Sequence, residues 1–202
     1  MPRHSILILA AVILLVAAGL GGVALMKRDL NRPQGSGVAL VGGPFSLVDQ
    51  NGMRVTEKDF LGKYMLIFFG YTYCPDVCPT ELQVMTAALD QMGPEADRVQ
   101  PIFVSIDPAR DTPAVLKSYV ANFGPRLIGL TGTPDEVASI AKAYRVYYAK
   151  ADNGSSATDY LIDHSSIIYL MGPDGSFVKH MPFTTDAAKL AQELKEALRT
   201  SP

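Results

Sequence analysis

The sequence has few cysteines and histidines and no excess of positive charge. Its 202 residues include only two cysteines, Cys74 and Cys78, and three histidines. The formal net charge is −2, so the chain lacks the basic surplus that nucleic-acid binding requires. It also has no internal repeat, no low-complexity tract and no cluster of methionines. These absences exclude a nucleic-acid-binding protein and confine any thiol chemistry to one short segment.

Apolar sequence is abundant, and it is distributed unevenly. The 48% hydrophobic content is enough for one ordinary core. Residues 5–26 contain no ionisable side chain, and about twenty such residues can span a bilayer. We therefore predict a single transmembrane anchor over residues 1–28, a flexible tether over residues 29–43 and a folded domain over residues 44–200. A cleaved signal peptide is the alternative for the first segment.

Within the predicted domain, apolar patterns typical of strands and helices alternate. Residues 64–69, 101–106, 127–130 and 166–171 predict strands, and residues 45–52 predict an N-terminal hairpin. Thr112 and Thr133 each precede a proline and are predicted to cap helices, the second with Glu136 in a capping box. Residues 152–158 predict a polar loop, and a final helix carries Leu190, Leu194 and Leu198. The pattern predicts an α/β, thioredoxin-like fold with an N-terminal hairpin extension.

The two cysteines stand at a predicted junction between a strand and a helix, in the motif Cys74-Pro-Asp-Val-Cys78-Pro. We expect Cys78 at the helix N-cap, where the positive end of the helix favours its thiolate. Four positions separate the cysteines, a spacing compatible with one shared metal ion or with a disulfide. A purely structural disulfide is the weaker interpretation, because closing so short a loop removes little chain entropy.

A metal site with two thiolates needs a further ligand, and the chain offers three histidines. His4 borders the predicted anchor, and His180 lies in the return strand of the last hairpin, where a surface role is expected. His164 precedes a core strand at the end of the polar loop. On the residues alone, His164 is either a hydrogen-bonded core histidine or the third ligand.

Three blocks of sequence resemble the signature blocks of the Sco/SenC family. They are residues 70–82 (GYTYCPDVCPTEL), residues 105–113 (SIDPARDTP) and Asp163-His164-Ser165 followed by Tyr169 and Leu170. Members of this family are membrane-tethered, thioredoxin-fold copper proteins involved in assembling cytochrome c oxidase. The resemblance covers residues 40–200 and the N-terminal anchor. It implies that Cys74, Cys78 and His164 bind one copper ion; Cu(I) is the expected form, and binding of Cu(II) is left open.

The resemblance also implies a function and a location. The protein would be a copper metallochaperone that delivers copper to the binuclear copper centre of cytochrome c oxidase. Its partners would be the copper-bearing oxidase subunit, a periplasmic copper donor and a thiol reductant. It would be a single-pass inner-membrane protein with its soluble domain facing the periplasm.

Other functions are compatible with the same cysteines. In a membrane-tethered thiol-disulfide oxidoreductase, Cys74 and Cys78 would be the catalytic redox pair that reduces the cysteines of a copper acceptor. The three-residue spacer, and the absence of a proline before the strand at residue 166, favour metal binding instead. A peroxidase resembling the peroxiredoxins is disfavoured, because Pro75 stands where those enzymes carry threonine. A copper or redox sensor is a further alternative.

Four charged residues near the predicted site have open roles. Asp107, Arg110 and Asp111 follow a strand, where they either stabilise the loop by an ion pair and a helix cap or contact a partner. Asp163 either orients His164 or points away from it.

Overall fold

The computed structural model of the chain describes residues 41–151, 159–183 and 185–200, which form nine strands and four α-helices. The strands are β1 (Ser46–Asp49), β2 (Arg54–Thr56), β3 (Tyr64–Gly70), β4 (Val99–Ser105), β5 (Ile128–Thr131), β6 (Tyr148–Lys150), β7 (Ile162–His164), β8 (Ile167–Met171) and β9 (Phe177–Pro182). The helices are α1 (Val77–Met92), α2 (Pro113–Val120), α3 (Pro134–Ala143) and α4 (Ala187–Thr200).

Seven of these strands form one mixed sheet in the order β2-β1-β5-β4-β3-β8-β9. β3, β4 and β5 are parallel neighbours, whereas β8 and β9 are antiparallel. β1 and β2 form the predicted N-terminal hairpin, and β1 pairs with β5 at the side of the sheet. The predicted mixed α/β, thioredoxin-like fold and its hairpin are confirmed.

The interior strand β3, which lies between β4 and β8, is buried along its whole length. The predicted apolar face of α4, formed by Leu190, Leu194 and Leu198, is buried, and α4 packs against α1. The Tyr64 hydroxyl donates to Ala197 O over 3.2 Å and fixes the start of β3 to the end of α4. The core therefore holds the strand that leads into the cysteine motif.

Two helix starts confirm the predicted caps. Thr112 Oγ1 accepts from Val115 N at 3.4 Å, and Thr133 and Glu136 form the reciprocal capping box. The prediction for α1 was wrong, because its N-cap is Asp76 and Cys78 is the second residue of the helix. Cysteine is a poor N-cap residue. Proline is tolerated at position 79, the third of the helix, because a backbone N–H there would have no partner within the helix.

The small sheet made by β6 and β7 was not predicted, since each strand has only three residues and shows too little alternation. The predicted anchor, the tether up to residue 40 and the loop at 152–158 lie outside the described residues. In the described part of the chain, no helix has the length and apolarity needed to cross a membrane.

Candidate metal centre

The cysteine motif lies directly beyond the carboxyl end of β3. A turn follows Gly70, and Cys74 N donates to Tyr71 O at 3.2 Å within it. The chain then enters α1, where Cys78 N donates to Cys74 Sγ at 3.4 Å. Cys74 is half-buried, Cys78 is fully buried, and both are free thiols in this structure. The motif thus presents one accessible and one enclosed sulfur.

The two thiols are electrostatically unequal. A hydrogen bond from the Cys78 thiol lowers the pKa of Cys74 to about 3, with smaller contributions from His164 and from the amides of Asp76 and Cys78. Donating that hydrogen bond, together with burial, raises the pKa of Cys78 above its ordinary value. These shifts run against the expectation of a thiolate at Cys78, because the hydrogen bond to Cys74 and burial both favour the thiol form of Cys78, whereas the lowered pKa favours the thiolate form of Cys74.

His164 ends β7 and faces the two sulfurs. Its Nε2 lies 3.5 Å from Cys78 Sγ, and its Nδ1 lies 3.2 Å from Ser165 O. Because a carbonyl oxygen only accepts, the contact with Ser165 O is a hydrogen bond when Nδ1 carries the proton, and a neutral ring then leaves the Nε2 lone pair for a metal ion. The ring is held by edge contacts with Phe68 and Tyr71, at centroid distances of 6.1 and 6.0 Å. His164 is thus oriented with its available nitrogen toward the cysteines.

The structure brings together the three side chains that the sequence singled out. The Sγ atoms of Cys74 and Cys78 and a ring nitrogen of His164 all lie within 4.8 Å of one another. Two sulfurs and one imidazole nitrogen form a soft donor set, which suits copper or zinc and not magnesium or calcium. The residues therefore fit a single soft metal ion.

Gly70 provides the space that the buried sulfur occupies. A Cβ atom at this position would lie 2.7 Å from Cys78 Sγ and 2.9 Å from Phe103 Cε2. Both distances are shorter than a normal contact between heavy atoms. A glycine at the end of β3 is therefore required for Cys78 to point into the site.

The other predicted candidates occupy different places. His180 is exposed on β9 and stacks on Phe177, with 6.3 Å between ring centroids. His4 lies outside the described residues. Asp163 is exposed, and the atom near His164 Nδ1 is Ser165 O instead. Among the described residues, His164 is therefore the histidine that lies beside the two cysteines.

The residues after β4 stabilise the loop from within. Asp107 forms an ion pair with Arg110, and Asp111 is fully buried and accepts from Thr72 N and Oγ1 at 3.0 and 2.5 Å. The cap of α2 is Thr112 and not Asp111. These contacts favour the loop-stabilising interpretation of the charged residues.

Two tyrosines of the site region were missed at the sequence level. The Tyr71 hydroxyl accepts from Ile162 N at 3.1 Å, and the Tyr160 hydroxyl donates to Asp107 Oδ1 at 2.7 Å. The available signal was an aromatic residue within an otherwise polar stretch, which by itself does not reveal a distant partner.

Comparison with known proteins identifies close relatives. The model of the SCO1/SenC family matches residues 33–199. The Arabidopsis thaliana protein SCO1 homolog 1, mitochondrial, is 46% identical over 165 residues, which are 81% of this chain and 49% of that protein. The chain thus spans about half the length of this curated relative.

Solved structures agree with this match. The crystal structure of Arabidopsis thaliana ScoI with copper bound is 44% identical, with a TM-score of 0.75 over 80% of this chain and 99% of that one. BsSco, reported with a disulfide switch as a member of the Sco family of cytochrome c oxidase assembly proteins, is 26% identical. Its TM-score is 0.63 over 81% of this chain and 96% of that one.

Proposed function

The chain belongs to the SCO1/SenC family, and from that premise we propose that it is a copper metallochaperone whose cargo is held by Cys74, Cys78 and His164. The observation that carries the proposal is the convergence of three ligand atoms within 4.8 Å from residues up to 90 positions apart, from Cys74 to His164. The copper-bound relative from Arabidopsis thaliana supports copper as the ion.

The donor set explains how copper could be both bound and released. Thiolates select Cu(I), and one imidazole completes a three-coordinate site. Cys74 is half-buried and its lowered pKa favours the thiolate, so an incoming ion or a partner's ligand reaches this sulfur before the enclosed Cys78. We expect transfer by ligand exchange, beginning on the Cys74 side.

The acceptor we propose is the copper-bearing subunit of cytochrome c oxidase, at its binuclear copper centre. The description of BsSco as a member of a family of oxidase assembly proteins supports this choice. A copper donor and a thiol reductant would complete the cycle, because an oxidised Cys74–Cys78 pair has no thiolates with which to hold Cu(I).

We propose that residues 1–28 anchor the chain in the inner membrane as a single span. The apolar segment from Ser5 to Met26 supports an anchor, and membership of the SCO1/SenC family supports a soluble domain on the periplasmic face. Labelling of Cys74 from outside intact spheroplasts would test this orientation.

A second function is favoured by the unequal thiols. The Cys74 thiolate can attack a partner disulfide to form a mixed disulfide, and Cys78 then displaces the partner's second thiolate. The partner gains two electrons, the Cys78 proton passes to one of its two sulfurs and water protonates the other, and Cys74–Cys78 becomes a disulfide that a thiol reductant must reduce again. The disulfide switch reported for BsSco supports this alternative.

The deciding experiment measures Cu(I) stoichiometry and affinity of the reduced, full-length chain by competition with a Cu(I) chelator. We expect one copper per chain, with at least tenfold weaker binding in Cys74→Ser, Cys78→Ser and His164→Ala. His180→Ala is the matched control, since His180 is exposed on β9, and should bind as tightly as the unmodified protein.

Equal losses in His164→Ala and His180→Ala would contradict the assignment of the third ligand. Weak copper binding together with rapid reduction of a disulfide substrate would make this protein an oxidoreductase.

A further inference from the structure

The two halves of the proposed copper site are supported differently. Cys74 and Cys78 follow β3, an interior strand of the seven-stranded sheet that pairs with β4 on one side and β8 on the other. His164 belongs to β7, and among the described strands β7 pairs only with the three-residue strand β6. A two-stranded ribbon this short is not stable by its own hydrogen bonds. The position of His164 must therefore depend on contacts between the ribbon and the rest of the domain.

Arg110 supplies several of these contacts through Tyr160, which stands two residues before β7. Its Nη1 donates to Tyr160 O at 2.9 Å, and its guanidinium carbon lies 3.7 Å from the centre of the Tyr160 ring. Arg110 also pairs with Asp107, whose other carboxylate oxygen accepts from the Tyr160 hydroxyl. The Arg110 side chain is only 17% exposed. Tyr160 is thus held by its backbone, its ring and its hydroxyl.

A second contact holds the chain at Ile162, between Tyr160 and His164 in sequence. Ile162, the first residue of β7, donates its N–H to the Tyr71 hydroxyl at 3.1 Å. The Tyr71 ring lies edge-on to the His164 ring and 5.7 Å from the Arg110 guanidinium. The chain entering the histidine is therefore fixed at Tyr160 and again at Ile162.

Arg110 is itself attached to the cysteine side of the site. It belongs to the 107–111 loop, in which Arg110 N and Asp111 N both donate to Asp107 O. Asp111 in the same loop binds Thr72, two residues before Cys74. One short loop therefore touches the cysteine turn through Asp111 and the histidine segment through Arg110.

We propose that Arg110 is a positioning residue that sets the place of His164 relative to the two cysteines. By fixing Tyr160 it keeps β7 against the cysteine turn and so governs how long the third ligand stays on the metal. Arginine suits this task because its planar guanidinium can stack on the Tyr160 ring and donate a hydrogen bond to Tyr160 O at the same time. A lysine ammonium cannot do both. This inference rests on the proposed copper site. The same contacts should hold the His164 segment in the metal-free protein as well.

The test uses the full-length chain with Arg110→Lys, which keeps the positive charge beside Asp107 and loses the stacking and the bond to Tyr160 O. In the reduced, metal-free protein we expect about tenfold faster hydrogen exchange at Ile162, the scale of one lost hydrogen bond. Alkylation of Cys74 should proceed at a nearly unchanged rate, since Asp111 still holds the cysteine turn and the contact of the Arg110 guanidinium with the exposed Tyr73 ring, at 4.8 Å from its centre, is weak.

Lys150→Met is the matched control. Lys150 Nζ also lies over the Tyr160 ring, at 3.9 Å from its centre, but Lys150 is exposed. Removing its charge should leave exchange at Ile162 unchanged, because exposed cation–π contacts are weak.

A double-mutant cycle shows whether Arg110 acts through the histidine. Arg110→Lys should speed Cu(I) dissociation about tenfold when His164 is present and have no effect in the His164→Ala background. Equal acceleration in both backgrounds would overturn the proposal, because Arg110 would then act on the cysteines or on the whole fold.

The failure of the copper proposal would be seen separately. If the unmodified chain bound no Cu(I), the exchange measurement would still decide the positioning role. Faster exchange at Ile162 in Arg110→Lys would support that role, and unchanged exchange would refute it.

Discussion

Glu81 is a buried acid one helical turn beyond Cys78. Its side chain has no exposed surface, and neither carboxylate oxygen has a hydrogen-bond partner among the residues described. Burial raises the pKa of Glu81 from 4.5 to about 7. The folded protein therefore holds a proton here that the unfolded chain releases at lower pH.

This difference predicts a pH-dependent cost that Glu81→Gln should remove. The pKa of Glu81 is higher in the folded than in the unfolded state. The contribution of this residue to stability is therefore fully present below about pH 4.5 and is lost as pH rises to about 7. Glutamine resembles the protonated acid. We therefore expect the free energy of unfolding of Glu81→Gln at pH 8 to be higher than that of the unmodified protein by up to about 3 kcal/mol. The two proteins should be nearly equal at pH 4.5.

Urea denaturation of the reduced, metal-free proteins at both pH values measures this difference. The cysteines titrate in both proteins, so their contribution cancels in the comparison. A constant difference between the two proteins from pH 4.5 to pH 8 would contradict a buried, titrating Glu81.

The connection between β4 and α2 is the element that joins the site to the sheet. Asp111, at its end, is buried and accepts hydrogen bonds from Thr72 N, Thr72 Oγ1 and Ser105 Oγ. Ser105 Oγ in turn accepts from Asp107 N at 3.0 Å. A single carboxylate thus ties the ends of two parallel strands to the cysteine turn.

Asp111→Asn should loosen this connection. The NH₂ group of asparagine would face the N–H and O–H groups of Thr72 and Ser105, which now donate to the Asp111 carboxylate. We expect a loss of about 2 kcal/mol in the free energy of unfolding, measured by urea denaturation. Asp163→Asn is the matched control, since Asp163 is exposed beside His164 and should change stability by less than about 0.5 kcal/mol. Equal effects of the two substitutions would show that burial of Asp111 does not matter.

At the scale of the whole molecule, the proposed metal would join two sheets. The cysteines follow the seven-stranded sheet, and His164 belongs to the two-stranded one. An ion bound by all three residues links them in the folded state alone, because the unfolded chain separates Cys78 from His164 by 86 positions. Metal binding should consequently stabilise the fold.

We expect Cu(I) loading to raise the Tm, with a gain of about 4 kcal/mol when free Cu(I) is a thousand times its Kd. Calorimetry of the reduced protein with and without Cu(I) measures the gain, and a chelator should reverse it. His164→Ala should gain less, and an equal gain in this variant would show that the ion does not link the two sheets.

Those elements of the fold that depend on local physics could be predicted from the amino-acid sequence. The apolar run of β3, the threonine caps of α2 and α3 and the apolar face of α4 are set by neighbouring residues, so the fold class could be predicted. The pair Cys74 and Cys78 could be found as well, since it lies within five positions.

Only the tertiary structure decided which cysteine holds the negative charge and how His164 is held. The hydrogen bond to Cys74 and burial both raise the pKa of Cys78, and burial depends on strands that are distant in sequence. The support of His164 runs through Arg110, Tyr160 and Tyr71, which are up to 89 positions apart between Tyr71 and Tyr160 and touch only in the folded chain. Contacts of this kind leave no local pattern, because the strand pairing that creates them is set by the packing of the whole domain.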